Sequence, residues 1–156
     1  MKASIARPIV DSHRQLHTDS CSTSLAEMML KVGRKVSPSF YALQSLEAQG
    51  STGLHHLKDQ TIAGVTFRTF PHDLTAVEIL ARIKKELDEG RTVGFYLPEN
   101  KVAHGWIAVE LEADAIALLS KCSELGGGEG VKTDELWFPL ANVEALNHVD
   151  CLFYEE

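Results

Sequence analysis

The segment Gln15-Leu16-His17-Thr18-Asp19-Ser20-Cys21 places a glutamine six residues ahead of a cysteine that opens an amphipathic stretch. A thiol at a helix N-terminus sits among unpaired backbone N–H groups at the positive end of the helix dipole. Both stabilise a thiolate and lower the thiol pKa toward the reactive range. Gln15 is then a candidate to donate a side-chain N–H to a developing oxyanion, beside the backbone N–H of Cys21. A structural reading competes: Cys21, Leu25, Met28, Met29 and Val32 recur at helical spacing, and cysteine is among the most buried residue types. A basic partner separates the two readings. His104 lies near the start of an expected strand, on the same face as Trp106 and Ala108 by the period of two. A helix-borne thiol facing a strand-borne imidazole is one geometry in which histidine deprotonates cysteine and later protonates a leaving amine.

The elements that must position these groups follow from patterning. A polar N-terminal arm containing Pro8 precedes a helix from about Cys21 to Val32, ended by Gly33 as a left-handed C-cap. A second helix is expected with Ser37 as N-cap and Pro38 at its first position, carrying Phe40, Leu43 and Leu46 inward and stopping before Gly50. The stretch from Ser51 to Ala63 is ambiguous, and Gly64 to Phe70 alternates as a strand. Thr75 to Glu89 is the clearest helix: Thr75 and Glu78 form a capping-box pattern, Ala76, Ile79, Leu80, Ile83 and Leu87 share a face, and Gly90 ends it. Arg91 to Leu97, Ala103 to Leu111 and Ala115 to Ser120 read as consecutive strands, with turns at Pro98-Glu99-Asn100 and Glu112-Ala113-Asp114. Leu136 to Leu140 adds a short strand, Ala141 to Leu146 a helical turn and His148 to Tyr154 a closing strand. Helices first and an antiparallel sheet afterwards is an α+β order, in one domain spanning residues 1–156.

Composition bounds the function. The 156 residues suit a single core of ordinary size, and 44% hydrophobic with 24% charged residues is a globular balance. A net charge of -7 argues against nucleic acid or an anionic membrane as the main partner. No membrane-span window and no signal-peptide pattern occur, so a cytoplasmic protein is expected. Cys21, Cys122 and Cys151 are too scattered for a disulfide framework, and free thiols are expected.

Other motifs have plainer readings. His55-His56 are adjacent, and His13, His17, His72 and His148 show no ligand spacing, so no metal or other cofactor is expected. Gly126-Gly127-Gly128-Glu129-Gly130 lacks the Gly-Lys-Ser/Thr ending of a phosphate loop and reads as a surface loop. Trp106, Trp137 and Phe138 read as core aromatics, and Glu110 and Glu112 as a solvent-facing strand edge.

Taken together, Gln15-x5-Cys21, the helix Ser22-Thr23-Ser24-Leu25-Ala26-Glu27-Met28-Met29-Leu30 and Ala103-His104-Gly105-Trp106-Ile107-Ala108-Val109 resemble the papain-like cysteine peptidases. Within them the chain looks most like the bacteriocin-processing, double-glycine leader peptidases and their relatives. The resemblance implies a papain-like α+β fold, Cys21 as nucleophile, His104 as general acid/base, Gln15 as oxyanion-hole side chain and a peptide or protein substrate. A role in leader removal would involve a separate partner chain. The family places Asp or Asn, commonly followed by proline, at the end of the strand after the histidine strand. The corresponding residue here is Ser120, followed by Lys121, and Glu124 and Asp114 are alternative orienters. Ser22 stands where the family more often has glycine. Many Cys-His pairs act without a strong third member. Two expectations follow: a cysteine-dependent peptidase or amide hydrolase working through an acyl-enzyme, and a catalytically silent papain-like domain that binds a peptide or protein partner.

Overall fold

A computed structural model describes residues 1–16, 21–47, 57–99, 102–121, 133–148 and 151–156. The side chains at 21, 46–47, 98–99, 102–104 and 147–148 fall outside that description. The described elements are α1 (Ala3–Asp11), α2 (Cys21–Val32), α3 (Ala42–Glu47), β1 (Thr61–Ile62), β2 (Val65–Thr69), α4 (Ala76–Asp88), β3 (Val93–Glu99), β4 (Val102–Leu111), β5 (Ala115–Ser120), β6 (Asp134–Pro139), a 3-10 helix (Leu140–His148) and β7 (Cys151–Glu155). The strands form one antiparallel sheet in the order β1-β2-β7-β3-β4-β5-β6. The α+β expectation holds.

Both faces of the sheet are covered. On one, Leu25, Met28, Met29 and Val32 of α2 and Ala6 and Val10 of α1 pack with Phe67, Ile107, Val109, Leu119, Leu152 and Tyr154. On the other, Ile79, Ile83 and Leu87 of α4 and Leu146 of the 3-10 helix pack with Phe95, Trp106, Ala108, Leu118 and Phe138. Strands buried on both faces carry apolar residues at odd and even positions, which is why β5 is buried from Ile116 to Ser120. Among the described residues no helix is long and apolar enough to cross a membrane.

Several expectations are corrected. Residues 3–11 form a helix and not a polar arm: Ala3, Ala6 and Val10 make a narrow buried stripe of small side chains, and Pro8 lies inside the helix but on its exposed side. The N–H of Ala3 donates to Glu110 Oε2 at 2.9 Å, so Glu110 is a half-buried anion at a helix N-terminus and not a solvent-facing strand residue. Gly33 is not the left-handed residue; Arg34 is, with φ 59°. Lys35 N–H to Leu30 O and Arg34 N–H to Lys31 O close a Schellman motif one residue later. Gly33 has a different reason to be glycine, because a Cβ there would stand 2.0 Å from the Tyr154 hydroxyl.

The second helix starts at Ala42, not Pro38; residues 37–40 close a turn, with Phe40 N–H on the Ser37 carbonyl. Pro98 and Glu99 belong to β3, paired with Ala103 and Val102, and not to the expected turn. Trp137 is 40% exposed on edge strand β6, whereas Trp106 and Phe138 are buried. The closing strand is formed as β7, from Cys151, and lies between β2 and β3. The capping box of α4 is formed, Gly90 follows it at φ 80°, and β5 has the expected bounds. His17, His55, His56, Cys122, Glu124 and the glycine cluster 126–130 lie outside the described residues.

Candidate active site

Cys21 is the first residue of α2, and every described side chain from Ser22 to Val32 is buried. The helix crosses the sheet at β3: a Cβ on Gly94 would meet Met29 Sδ at 2.8 Å and Leu25 Cδ2 at 3.1 Å. Farther along β3, Tyr96 Oη and Ser22 Oγ are hydrogen-bonded at 2.7 Å. Tyr96 stands directly opposite Gly105, and Leu97 opposite His104. One hydrogen bond thus ties the residue after Cys21 to the strand pair at the position next to His104. It also gives Ser22 a function that glycine would lack.

Strand phase adds a second constraint. Trp106 and Ala108, in phase with position 104, are buried on the α4 side, and Leu97 belongs to that same core. Ile107 and Val109 are buried under α2. A regular strand does not supply the expected thiol and imidazole facing one another across a single sheet face; positions 21 and 104 share one end of the sheet. The side chains of both, and hence their separation, are outside the described part.

Ser120 is fully buried, and its hydroxyl donates to the carbonyl of Gly105, the residue after His104, at 2.5 Å. With its proton so committed, Ser120 offers only acceptor lone pairs to a neighbouring N–H. Asp134 stands directly opposite it in the β5–β6 ladder. Asp114 is excluded as an orienter: it lies in the turn at the far end of β4, roughly 25 Å of strand from position 104.

Gln15 is fully buried and occupies an isolated bridge position. Its backbone is gripped on both sides by one side chain. Gln44 Oε1 accepts from the Leu16 N–H and Gln44 Nε2 donates to the Arg14 carbonyl, each at 2.7 Å. Glu27 of α2 holds Gln44 in turn. It accepts from Gln44 Nε2 at 2.7 Å, from the Leu43 N–H at 3.0 Å and from the Gln44 N–H at 3.2 Å.

A second buried polar group adjoins this one. The Lys31 ammonium donates to His13 Nδ1 at 2.9 Å, so the neutral ring carries its proton on Nε2 and donates it to Ser24 Oγ, also 2.9 Å away. Tyr41 stacks on His13, and Lys31 Nζ lies 3.7 Å from the Tyr41 ring centroid. Lys121 Nζ donates to the Asp11 carbonyl and to Thr133 Oγ1. Burial, with the positive charges of Lys31 and Lys121, lowers the His13 pKa to about 3. Burial raises Glu27 to about 7 against the pull of its donors and Lys31, and lowers Lys31 to about 8 against the attraction of Glu27.

Sequence reasoning passed over this network because the apolar stripe of α2 dominates its pattern. The available signal was a second stripe, Ser24, Glu27 and Lys31, at helical spacing on a helix whose apolar residues already imply burial. Among the described residues no group of three His, Cys, Asp or Glu side chains gathers to hold a metal ion. No protein-family model, no curated protein and no solved structure matches the chain.

Proposed function

We propose that the chain is a cysteine-dependent amide hydrolase of the papain-like kind, acting on a peptide or protein. In this reading His104 takes the proton of Cys21, and the thiolate attacks a carbonyl carbon. The resulting oxyanion receives hydrogen bonds from the Gln15 amide and the Cys21 N–H. The amine leaves with the proton from His104, and water then hydrolyses the thioester, regenerating the thiol. The observation that carries the proposal is the hydrogen bond between Ser22 and Tyr96, which tethers the start of α2 beside the His104 segment.

The test is the rate of Cys21 alkylation by iodoacetamide against pH, in wild type and His104→Ala, with the labelled site located by mass spectrometry. Rapid labelling well below the ordinary thiol pKa of about 8.5, slowed in the variant, is expected of a thiolate-imidazolium pair. Cys21→Ala is expected to abolish labelling there and any turnover. Labelling that rises only near the ordinary pKa and ignores His104 would sink the proposal.

Two observations favour a second reading, a silent papain-like domain that binds a peptide or protein partner. The residues in phase with His104 are buried away from α2, and Ser120 brings no charge to stabilise an imidazolium. Peptide binding without any cleavage product, together with an unreactive Cys21, would establish that reading in place of the first.

A further inference from the structure

Gln44 and Glu27 are fully buried and lie outside the proposed Cys-His pair; Gln44 bonds both sides of a short segment, and Glu27 holds Gln44. The segment is the one that carries Gln15. We propose that Gln44, oriented by Glu27, is the positioning residue for the oxyanion-hole glutamine, an inference that rests on the reading of Gln15 given above.

The argument begins with the geometry of a primary amide. Gln44 has one acceptor oxygen and one two-proton nitrogen, and its surroundings fix which is which. The Leu16 N–H can only donate and the Arg14 carbonyl can only accept, and Glu27 accepts from the same Gln44 nitrogen. A flipped amide would set donor against donor and acceptor against acceptor at 2.7 Å. The orientation is therefore determined, and with it the path of the backbone from 14 to 16.

That path sets the origin of the Gln15 side chain. An oxyanion donor acts only when its N–H is already aimed where charge will develop, and misplacement on the order of 1 Å removes much of its effect. A residue on a short bridge, outside helix and sheet ladder, lacks the usual source of such rigidity. Gln44 supplies it from α3. Glu27 couples it to α2, the same helix that begins with Cys21, so nucleophile and oxyanion donor are referred to one rigid element.

Two reagents separate this role from a general structural one. Acylation of Cys21 by p-nitrophenyl acetate passes through a tetrahedral oxyanion: the thiolate adds to the carbonyl carbon and p-nitrophenolate is expelled. Alkylation by iodoacetamide is a direct displacement of iodide and forms no oxyanion. The ratio of the two rates reports the oxyanion hole alone. Gln15→Ala is expected to lower that ratio by about 100-fold, the size typical of losing one oxyanion donor. Gln44→Met, which keeps the volume and removes the hydrogen bonds, is expected to lower it at least tenfold. The double variant Gln15→Ala/Gln44→Met should have the ratio of Gln15→Ala alone, because a positioning residue acts only through the group it positions.

A wild-type ratio in Gln44→Met overturns the positioning role while leaving the hydrolase reading intact, and so does a further fall in the double variant. A wild-type ratio in Gln15→Ala overturns the assignment of Gln15 and this inference with it. Should Gln44→Met fail to fold by near-ultraviolet circular dichroism, Glu27→Gln serves in its place. It preserves size but replaces one acceptor oxygen with an NH2, which must face either Gln44 Nε2 or the Leu43 and Gln44 N–H groups, and the same selective loss of acylation is expected; an unchanged ratio there also overturns the inference.

Discussion

His13 and Glu27 occupy one buried neighbourhood and take up protons in opposite senses. The His13 pKa falls from 6.5 to about 3 on folding, so its contribution to stability is present above 6.5 and is lost as pH falls toward 3. The Glu27 pKa rises from 4.5 to about 7, so its contribution is present below 4.5 and is lost as pH rises toward 7. Between about pH 4.5 and 6.5 the unfolded chain holds one proton on His13 and the native chain holds one on Glu27. The two slopes cancel, and the pair leaves wild-type stability level in that window. His13→Gln is expected to expose the Glu27 slope, a loss of about 1.4 kcal/mol per unit rise in pH relative to wild type. Glu27→Gln should expose the His13 slope, a gain of similar size. Urea unfolding at pH 4.5, 5.5 and 6.5 measures both; parallel curves for all three proteins would refute the coupling. The sequence signalled only the Ser24, Glu27 and Lys31 stripe; that His13, fourteen residues from Glu27, joins it was not legible. Gln15, Cys21 and His104 stood out because residue type and local spacing suffice to nominate them, whereas Gln44 is identified only by what the fold brings to it.

The elements read from the chain divide by the kind of information that forms them. The α4 capping box is local: Thr75 accepts from the Glu78 N–H, and Glu78 returns a bond to the Thr75 N–H, so four consecutive residues announce the start. The start of α1 depends on Glu110, more than a hundred residues away, and Pro8 inside the helix hides an amphipathic pattern whose buried stripe is Ala3, Ala6 and Val10. Gly94 was equally silent. As a strand glycine it suggests only weakness, but its missing Cβ is what admits Leu25 and Met29 of α2 to the sheet. Gly94→Ala is therefore expected to destabilise the fold by roughly 1–3 kcal/mol through overpacking, although alanine suits a strand no worse than glycine. The midpoint and slope of a denaturant transition check this. An unchanged midpoint would mean that α2 does not bear on β3 as closely as described. Because α2 begins with Cys21, the same variant should also slow Cys21 alkylation if the helix lifts from the sheet.

Across the whole molecule, the sheet order sets which part of the chain holds the rest together. β7 is last in sequence, yet it joins β2 to β3 in the interior of the sheet, with Phe67 opposite Tyr154 on one side and Phe95 opposite Cys151 on the other. It also feeds both cores: Leu152 and Tyr154 pack under α2, Cys151 against the α4 side. Sequence patterning marks β7 as a strand but cannot choose its neighbours, since an apolar run buried on both faces fits any interior slot. Removing residues 151–156 would leave β2 and β3 with facing unpaired edges and open both cores at once. Losing the Leu152 side chain alone is worth roughly 2–5 kcal/mol, a large share of the 5–15 kcal/mol that stabilises a typical domain. The truncated chain is thus expected to lack a cooperative thermal transition and to show the rapid amide exchange of an unfolded or molten state. A peptide of residues 151–156 added in trans should not rescue it, because so short a strand pays the full entropy of association without a covalent tether. A cooperative melt in the truncated chain would show that β2 and β3 can pair without β7, and would overturn the role of β7 as the strand that joins the two parts of the sheet.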